Sequence, residues 1–190
     1  MNAAVLERPK VQRPELGPCP IIETRRLVLR PHQPGDADAM AQSLNDWQVT
    51  RMLARVPAPY SRSDALDWLK MTRSSSDWHF AITEGDGVHI GCVSIELLHG
   101  RWHLGYWLNR FYWGQGVMTE AVGAVLEAFF RRLPEAELFS GAFADNAGSL
   151  RIQNRMGFTI LGCSDRYSVA RNAMALHLET SLIAGDLHRP

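Results

Sequence analysis

The chain has 190 residues, enough for one well-packed domain and short for two. Apolar residues make up 46% of it, which supports a globular core and argues against disorder. Lysine plus arginine equals aspartate plus glutamate at 20 each, so charge points to neither nucleic acid nor an anionic membrane as a partner. Cys19, Cys92 and Cys163 stand far apart and form no CxxC pair, which speaks against a disulfide framework and a thiolate zinc site. No apolar run reaches the length of a membrane span, and the first residues lack the pattern of a signal peptide. The expectation is a cytoplasmic protein, monomeric or homodimeric.

Residues 1–20 hold Pro9, Pro14, Pro18 and Pro20 and predict an irregular N-terminal arm, followed by a single domain over 21–190. Alternation over 26–30 predicts the first strand, ended by Pro31 and Pro34. Asp36 opens a helix through Leu44, a second helical stretch runs over about 46–53, and Ser61 with Asp64 forms a capping box for a third. The period then changes. Residues 78–83, 89–98 and 101–108 predict three strands of an antiparallel meander, joined by glycine-rich turns. From 117 to 133 the apolar spacing is helical again, and 138–143 is a strand. Asp145 or Asn146 caps a helix that stops at Gly157. Strands over 158–162 and 174–183 complete an α+β domain.

The informative stretch is Tyr112-Trp113-Gly114-Gln115-Gly116-Val117-Met118-Thr119-Glu120-Ala121, where a strand passes through a short loop into a long helix. The first amides of a helix have no intrahelical acceptor and sit at the positive end of its dipole, so they favour a bound anion. Glycines spaced by one residue let the loop backbone come close to that anion. A phosphate or pyrophosphate is the expected ligand, against the plainer reading of an ordinary strand-to-helix turn. No GK[ST] follows, which excludes a P-loop. The third glycine and acidic ribose partner of a dinucleotide fold are also missing.

This segment resembles the acetyl-CoA pyrophosphate loop of the GNAT acetyltransferases, in the branch that contains the ribosomal-protein N-terminal acetyltransferases. Glu23-Thr24-Arg25-Arg26-Leu27-Val28-Leu29-Arg30 is similar to that branch's opening strand, and Gly105-Tyr106-Trp107-Leu108 to its fourth. Asn146-Ala147-Gly148-Ser149 followed by Met156-Gly157-Phe158 is similar to its N-x-x-S…GF segment. The likeness runs over about residues 22–183.

The resemblance implies a mixed, mostly antiparallel sheet flanked by helices, whose fourth and fifth strands splay apart around pantetheine. It implies acetyl-CoA as co-substrate, no metal, and a primary amine as acceptor, either a protein N-terminus or a small molecule. Tyr106, Trp107 and Leu108 would form the cofactor wall. Tyr112, Trp113, Gly114, Gln115, Gly116, Val117, Met118 and Thr119 would hold the pyrophosphate. Phe111 stands where relatives carry Gln or Arg, and its neighbour Arg110 is a substitute source of charge. Asn146 would contact pantetheine or serve as a helix cap, and one residue can do both.

Catalysis needs a base for the ammonium and something to meet the departing thiolate. Gln153 stands where many relatives place an acidic tyrosine, so Ser149 is the candidate for the thiolate, with a packing role as its alternative. His103 is a candidate base, with Glu96 on the preceding strand as the second. His99 and His103 flank a turn with no third ligand in view, and a metal pair there is rejected. The alternative function is a coenzyme-A-binding sensor or structural module without turnover, and a third reading is transfer of a longer acyl chain. Acceptor choice is assigned to residues 47–73 and to the loop around 165–172.

Overall fold

Strands β1 (Ile22–Glu23), β2 (Val28–Pro31), β3 (Trp78–Thr83), β4 (His89–Leu98) and β5 (Arg101–Leu108) pair antiparallel in succession in the computed structural model. Strand β6 (Glu137–Phe143) joins β5 in parallel, and β8 (Ala173–Ile183) and β7 (Thr159–Ser168) complete the sheet in the order β1-β2-β3-β4-β5-β6-β8-β7. The structure describes residues 15–73 and 76–188. Residues 1–14 of the predicted arm lie outside the described residues. Residues 15–20 have no regular element but lie against the core: Leu16 is buried, and Trp78 Nε1 donates to Gly17 O at 3.1 Å.

The expected splay is present and has a clear origin. The β5–β6 ladder has two register pairs, Trp102↔Leu138 and His103↔Phe139, and no more. Beyond them Ser140 Oγ donates to Leu104 O at 3.1 Å, a side chain taking over where the backbone ladder stops. Strand β6 turns instead to β8, with which it pairs over its whole length. The sheet is therefore open between the second halves of β5 and β6.

Helix α4 (Val117–Arg132) covers one face of the sheet. Val117, Ala121, Val125 and Phe129 recur at a spacing of four or one turn and are fully buried, together with Val122 and Leu126. They pack against Phe80, Val93, Ile95 and Leu104 in the main core. Helix α5 (Ala147–Met156) lies beside α4 on this face and adds Met156 and Ile152 to the same core. On the other face α1 (Ala37–Leu44) and α3 (Arg62–Arg73) enclose a smaller core of Met40, Leu44, Ala65 and Leu69, against which Trp107 packs from β5. Asp46 caps the one-turn helix α2 (Trp47–Thr50) by accepting from Gln48 N, and the Ser61–Asp64 capping box is formed, with Ser61 N donating to Asp64 Oδ2 at 2.8 Å.

Three elements depart from the sequence expectation, each for a tertiary reason. The first strand begins at Val28 and not at residue 26, because Thr24 closes a turn with Leu27 (Thr24 N to Leu27 O 2.9 Å, Leu27 N to Thr24 Oγ1 3.0 Å). Helix α2 ends at Thr50 and not near residue 53. The carbonyls that would continue it are taken by the β7–β8 turn: Arg171 Nε donates to Arg51 O at 2.6 Å and Val169 N to Ala54 O at 3.0 Å. Strand β7 extends to Ser168, six residues past the expected end. It is an edge strand with both faces largely exposed, so its second half has no apolar alternation to read. The loop expected around 165–172 shrinks accordingly to a tight turn after Ser168.

Candidate active site

A cleft of about 790 Å³ opens where β5 and β6 part. Tyr106, Trp107 and Leu108 line it from β5, Asn146 and Ser149 from the start of α5, and Met52 and Leu53 from the segment after α2. The loop into α4 supplies Tyr112, Trp113, Gly114, Gly116, Val117, Met118 and Thr119 to the same wall.

Local bonds shape that loop. Asn109 Oδ1 accepts from Phe111 N at 3.0 Å and starts a 3-10 turn over Arg110–Tyr112. Trp113 Nε1 donates to Leu108 O at 2.8 Å, and Gln115 Nε2 folds back onto Phe111 O at 2.8 Å. Gln115 is thus a brace within the loop, and its side chain is not part of the cleft wall. Gly114 and Gly116 have φ of +73° and +75°, a region closed to most residues. Gly116 is also the N-cap of α4 and brings no side-chain acceptor, so the first amides of the helix remain available at the cleft.

Electrostatics at this end favour an anion. Arg151 and Arg155, four apart on α5, both line the cleft and have no carboxylate partner among the described residues. Arg110, expected as a substitute source of charge, is instead held by Asp46 at 2.7 Å and stacked on Phe111. Arg26 has a different task. It bonds Glu120 Oε2 at 2.8 Å and Gln115 O at 3.1 Å, while Thr24 Oγ1 donates to Glu120 Oε1 at 2.7 Å. This clasp ties the β1–β2 turn to the first turn of α4 and fixes the glycine loop. The uncapped helix, the open glycine backbone and the two free arginines suit a polyanion such as the diphosphate of coenzyme A.

Deeper in the cleft, Asn146 caps α5 by accepting from Ser149 N at 3.1 Å. The Ser149 hydroxyl lies 2.7 Å from Tyr106 Oη, and Gln153 Nε2 stands 3.2 Å from Ser149 Oγ. Burial pushes the Tyr106 phenol above its ordinary pKa, against the opposing hydrogen bonds from Ser149 and Gln153, so it stays protonated.

His103 and Glu96 lie outside this wall. They face each other directly across the β4–β5 ladder, on the side of the sheet opposite Tyr106, since neighbouring strand residues alternate faces. His103 packs on Phe139 with ring centroids 5.8 Å apart; burial, then the Arg166 charge, lowers its pKa. Glu96 accepts from Ser94 Oγ at 3.0 Å and from Arg55 at 2.8 Å. Among the described residues no group of three or more His, Cys, Asp or Glu side chains is placed to hold a metal ion.

Sequence reasoning missed the Thr24–Arg26–Glu120 clasp, whose members lie 94 residues apart or more and share no local pattern. The i, i+4 spacing of Arg151 and Arg155 was a signal that could have been used.

The opened sheet and the uncapped, glycine-preceded helix define an acyl-CoA-binding α+β domain. Residues 26–159 match the model of the acetyltransferase (GNAT) domain, and the chain belongs to that family. It is 28% identical over 160 residues to an uncharacterised N-acetyltransferase, p20, of Bacillus licheniformis, covering 80% of this chain and 89% of that protein. Among solved structures it is similar to Mycobacterium smegmatis RimJ in complex with a coenzyme A disulfide, with a TM-score of 0.76, 21% identity and 88% of each chain covered. A GNAT-family acetyltransferase from Bacillus anthracis also gives a TM-score of 0.76 at 17% identity, covering 87% of this chain and 99% of that one.

Proposed function

We propose that the protein transfers an acetyl group from acetyl-CoA to a primary amine, a protein N-terminus or a small molecule. The observation that carries this reading is the N-terminus of α4, capped by a glycine with no side-chain acceptor and open to a cleft between parted strands. Acetyl-CoA supplies the activated thioester. Gly114, Gly116 and the amides that follow hold the diphosphate, with Arg151 and Arg155 adding charge. Asn146 and the exposed edges of β5 and β6 border the pantetheine arm. Ser149 meets the sulfur as it leaves.

The amine must lose a proton, and His103 is the proposed base, acting through water from across the sheet. Its lowered pKa leaves it neutral at pH 7 with a lone pair to offer. The limb of kcat/KM that rises with pH should therefore fall below the ordinary histidine range. His103→Gln should flatten it, and an unchanged profile would move the role to Glu96 or to solvent.

The binding site is tested by Gly116→Asp. Aspartate tolerates a positive φ better than most residues and is a good N-cap, so the fold should survive. Its carboxylate would occupy the amides that the diphosphate needs. Calorimetry should show coenzyme A binding weakened by about 10²-fold or more, equivalent to about 3 kcal/mol. Equal affinity in wild type and variant would sink the assignment.

A further inference from the structure

We propose that Gln153 is a positioning residue for Ser149: anchored by Thr180 and the Gly141 carbonyl, it sets the Tyr106–Ser149 hydroxyl pair so that the Ser149 hydrogen turns to the departing sulfur. This rests on the acetyl-transfer reading above.

Gln153 lies one turn after Ser149 on α5 and is only 2% exposed, so each of its polar groups needs a partner. All have one. Its Oε1 accepts from Thr180 Oγ1 at 2.8 Å. Its Nε2 donates to Gly141 O at 3.3 Å, and its second hydrogen lies between Ser149 Oγ at 3.2 Å and Tyr106 Oη at 3.4 Å. The orientation of the amide is fixed, because the reverse would set two carbonyl oxygens, those of Gln153 and Gly141, against each other. Strands β6 and β8 thereby hold a side chain of α5 in one pose.

Tyr106 has one hydrogen and two acceptors on the same residue, Ser149 O at 3.1 Å and Ser149 Oγ at 2.7 Å. In the first arrangement Tyr106 donates to the Ser149 carbonyl and Ser149 Oγ–H donates to Tyr106. In the second, Tyr106 donates to Ser149 Oγ, which also accepts from Gln153, and the Ser149 hydrogen is released to the cleft that Ser149 lines. Only two O–H bonds rotate, and the buried phenol keeps its proton. During transfer the new C–N bond forms, the thioester C–S bond breaks, and sulfur keeps the electron pair. Ser149 stabilises that pair by a hydrogen bond, and the proton that finally reaches sulfur is the one lost by the amine nitrogen. No protein group is consumed. A glutamine thus does by orientation what a tyrosine on this helix would do by donation.

The test reads the thiol of bound coenzyme A by the absorbance of its thiolate in a pH titration, so it needs no acceptor and no turnover. In the wild type the bound thiol should ionise about one pH unit lower than in Gln153→Met or Ser149→Ala. Thr180→Ser should match the wild type while Thr180→Val shifts towards Gln153→Met. With the best acceptor, Gln153→Met should lower kcat about tenfold at unchanged coenzyme A affinity. The double variant of Ser149→Ala with Gln153→Met should be no slower than Ser149→Ala alone, since one acts through the other. Bound coenzyme A with the same thiol pKa in wild type, Gln153→Met and Thr180→Val would overturn the inference, as would losses that multiply in the double variant. Failure of the wild type to bind coenzyme A would overturn the acetyl-transfer reading itself, and this inference with it.

Discussion

On the α5 side of the sheet, Tyr106, Ser149, Gln153 and Thr180 bond to one another until every buried polar atom of Gln153 is used. On the opposite side, near α1 and α3, three histidines are buried with almost nothing to bond. His32 and His89 have both ring nitrogens, and His79 its Nδ1, without a hydrogen-bond partner among the described residues. They pack as aromatic plates: His32 lies 5.0 Å from Trp68 and 5.2 Å from His89, Trp68 lies 5.4 Å from His79, and His89 lies 5.5 Å from Trp107. Asp36, the nearest carboxylate to His32, is 3.7 Å away and already paired with Arg30 at 2.8 Å. The difference teaches what burial does to a polar side chain. With partners it is held in one orientation, which chemistry can use. Without them it is held neutral, which is a liability in acid.

The largest effect expected from this contrast is loss of stability at low pH. Burial pushes the pKa of His32, His79 and His89 down, to about 4 for His89, in each case against the pull of nearby carboxylates: Asp36 for His32 and His89, Glu96 and Asp77 for His79. A folded pKa below the unfolded value means that the unfolded chain binds protons first. Stability is therefore complete above the ordinary histidine pKa and is lost as pH falls towards the folded value. His89 alone should cost about 3 kcal/mol by pH 4. Urea midpoints measured from pH 7 to pH 4 should fall, and His89→Phe should make that fall shallower. A slope identical to the wild type would show that His89 does not titrate as the structure implies.

Next in size is the cost of emptying the bonded cluster. Gln153→Leu removes three partners at once and leaves the Thr180 hydroxyl and the Gly141 carbonyl unpaired in the interior. It should destabilise the fold by about 2 kcal/mol. The smallest effect belongs to the unbonded cluster at neutral pH. His79→Phe deletes a buried Nδ1 that has no protein partner and keeps the ring, so denaturation at pH 8 should differ by about 1 kcal/mol or less, in either direction. If His79→Phe proved more costly than Gln153→Leu, the contrast between the two clusters would collapse.

Much of the molecule was legible from one dimension. The meander of β3, β4 and β5, the long amphipathic α4 and the glycine loop before it follow local rules of period and capping, and the structure places them where the sequence analysis expected. The splayed strand pair was legible through family resemblance. Other features were not. Strand β7 is exposed on both faces, so its second half carries no apolar period. Helix α2 stops early because a turn 120 residues further on, around Arg171, takes its last carbonyls. Gln153 was read as a missing tyrosine, because its partners on β6 and β8 come from other parts of the chain.

What the sequence determined by itself is the site that depends on backbone conformation. Glycines at 114 and 116 and a helix starting at Val117 dictate an anion-binding loop through local dihedral freedom and unsatisfied amides, which need no distant partner. What only the tertiary structure decided is the orientation of side chains. Whether the Ser149 hydrogen faces the cleft depends on a tyrosine from β5, a carbonyl from β6 and a threonine from β8. Hydrogen bonds are short and directional, so that choice is made only when four separate segments meet within about 3 Å of one another.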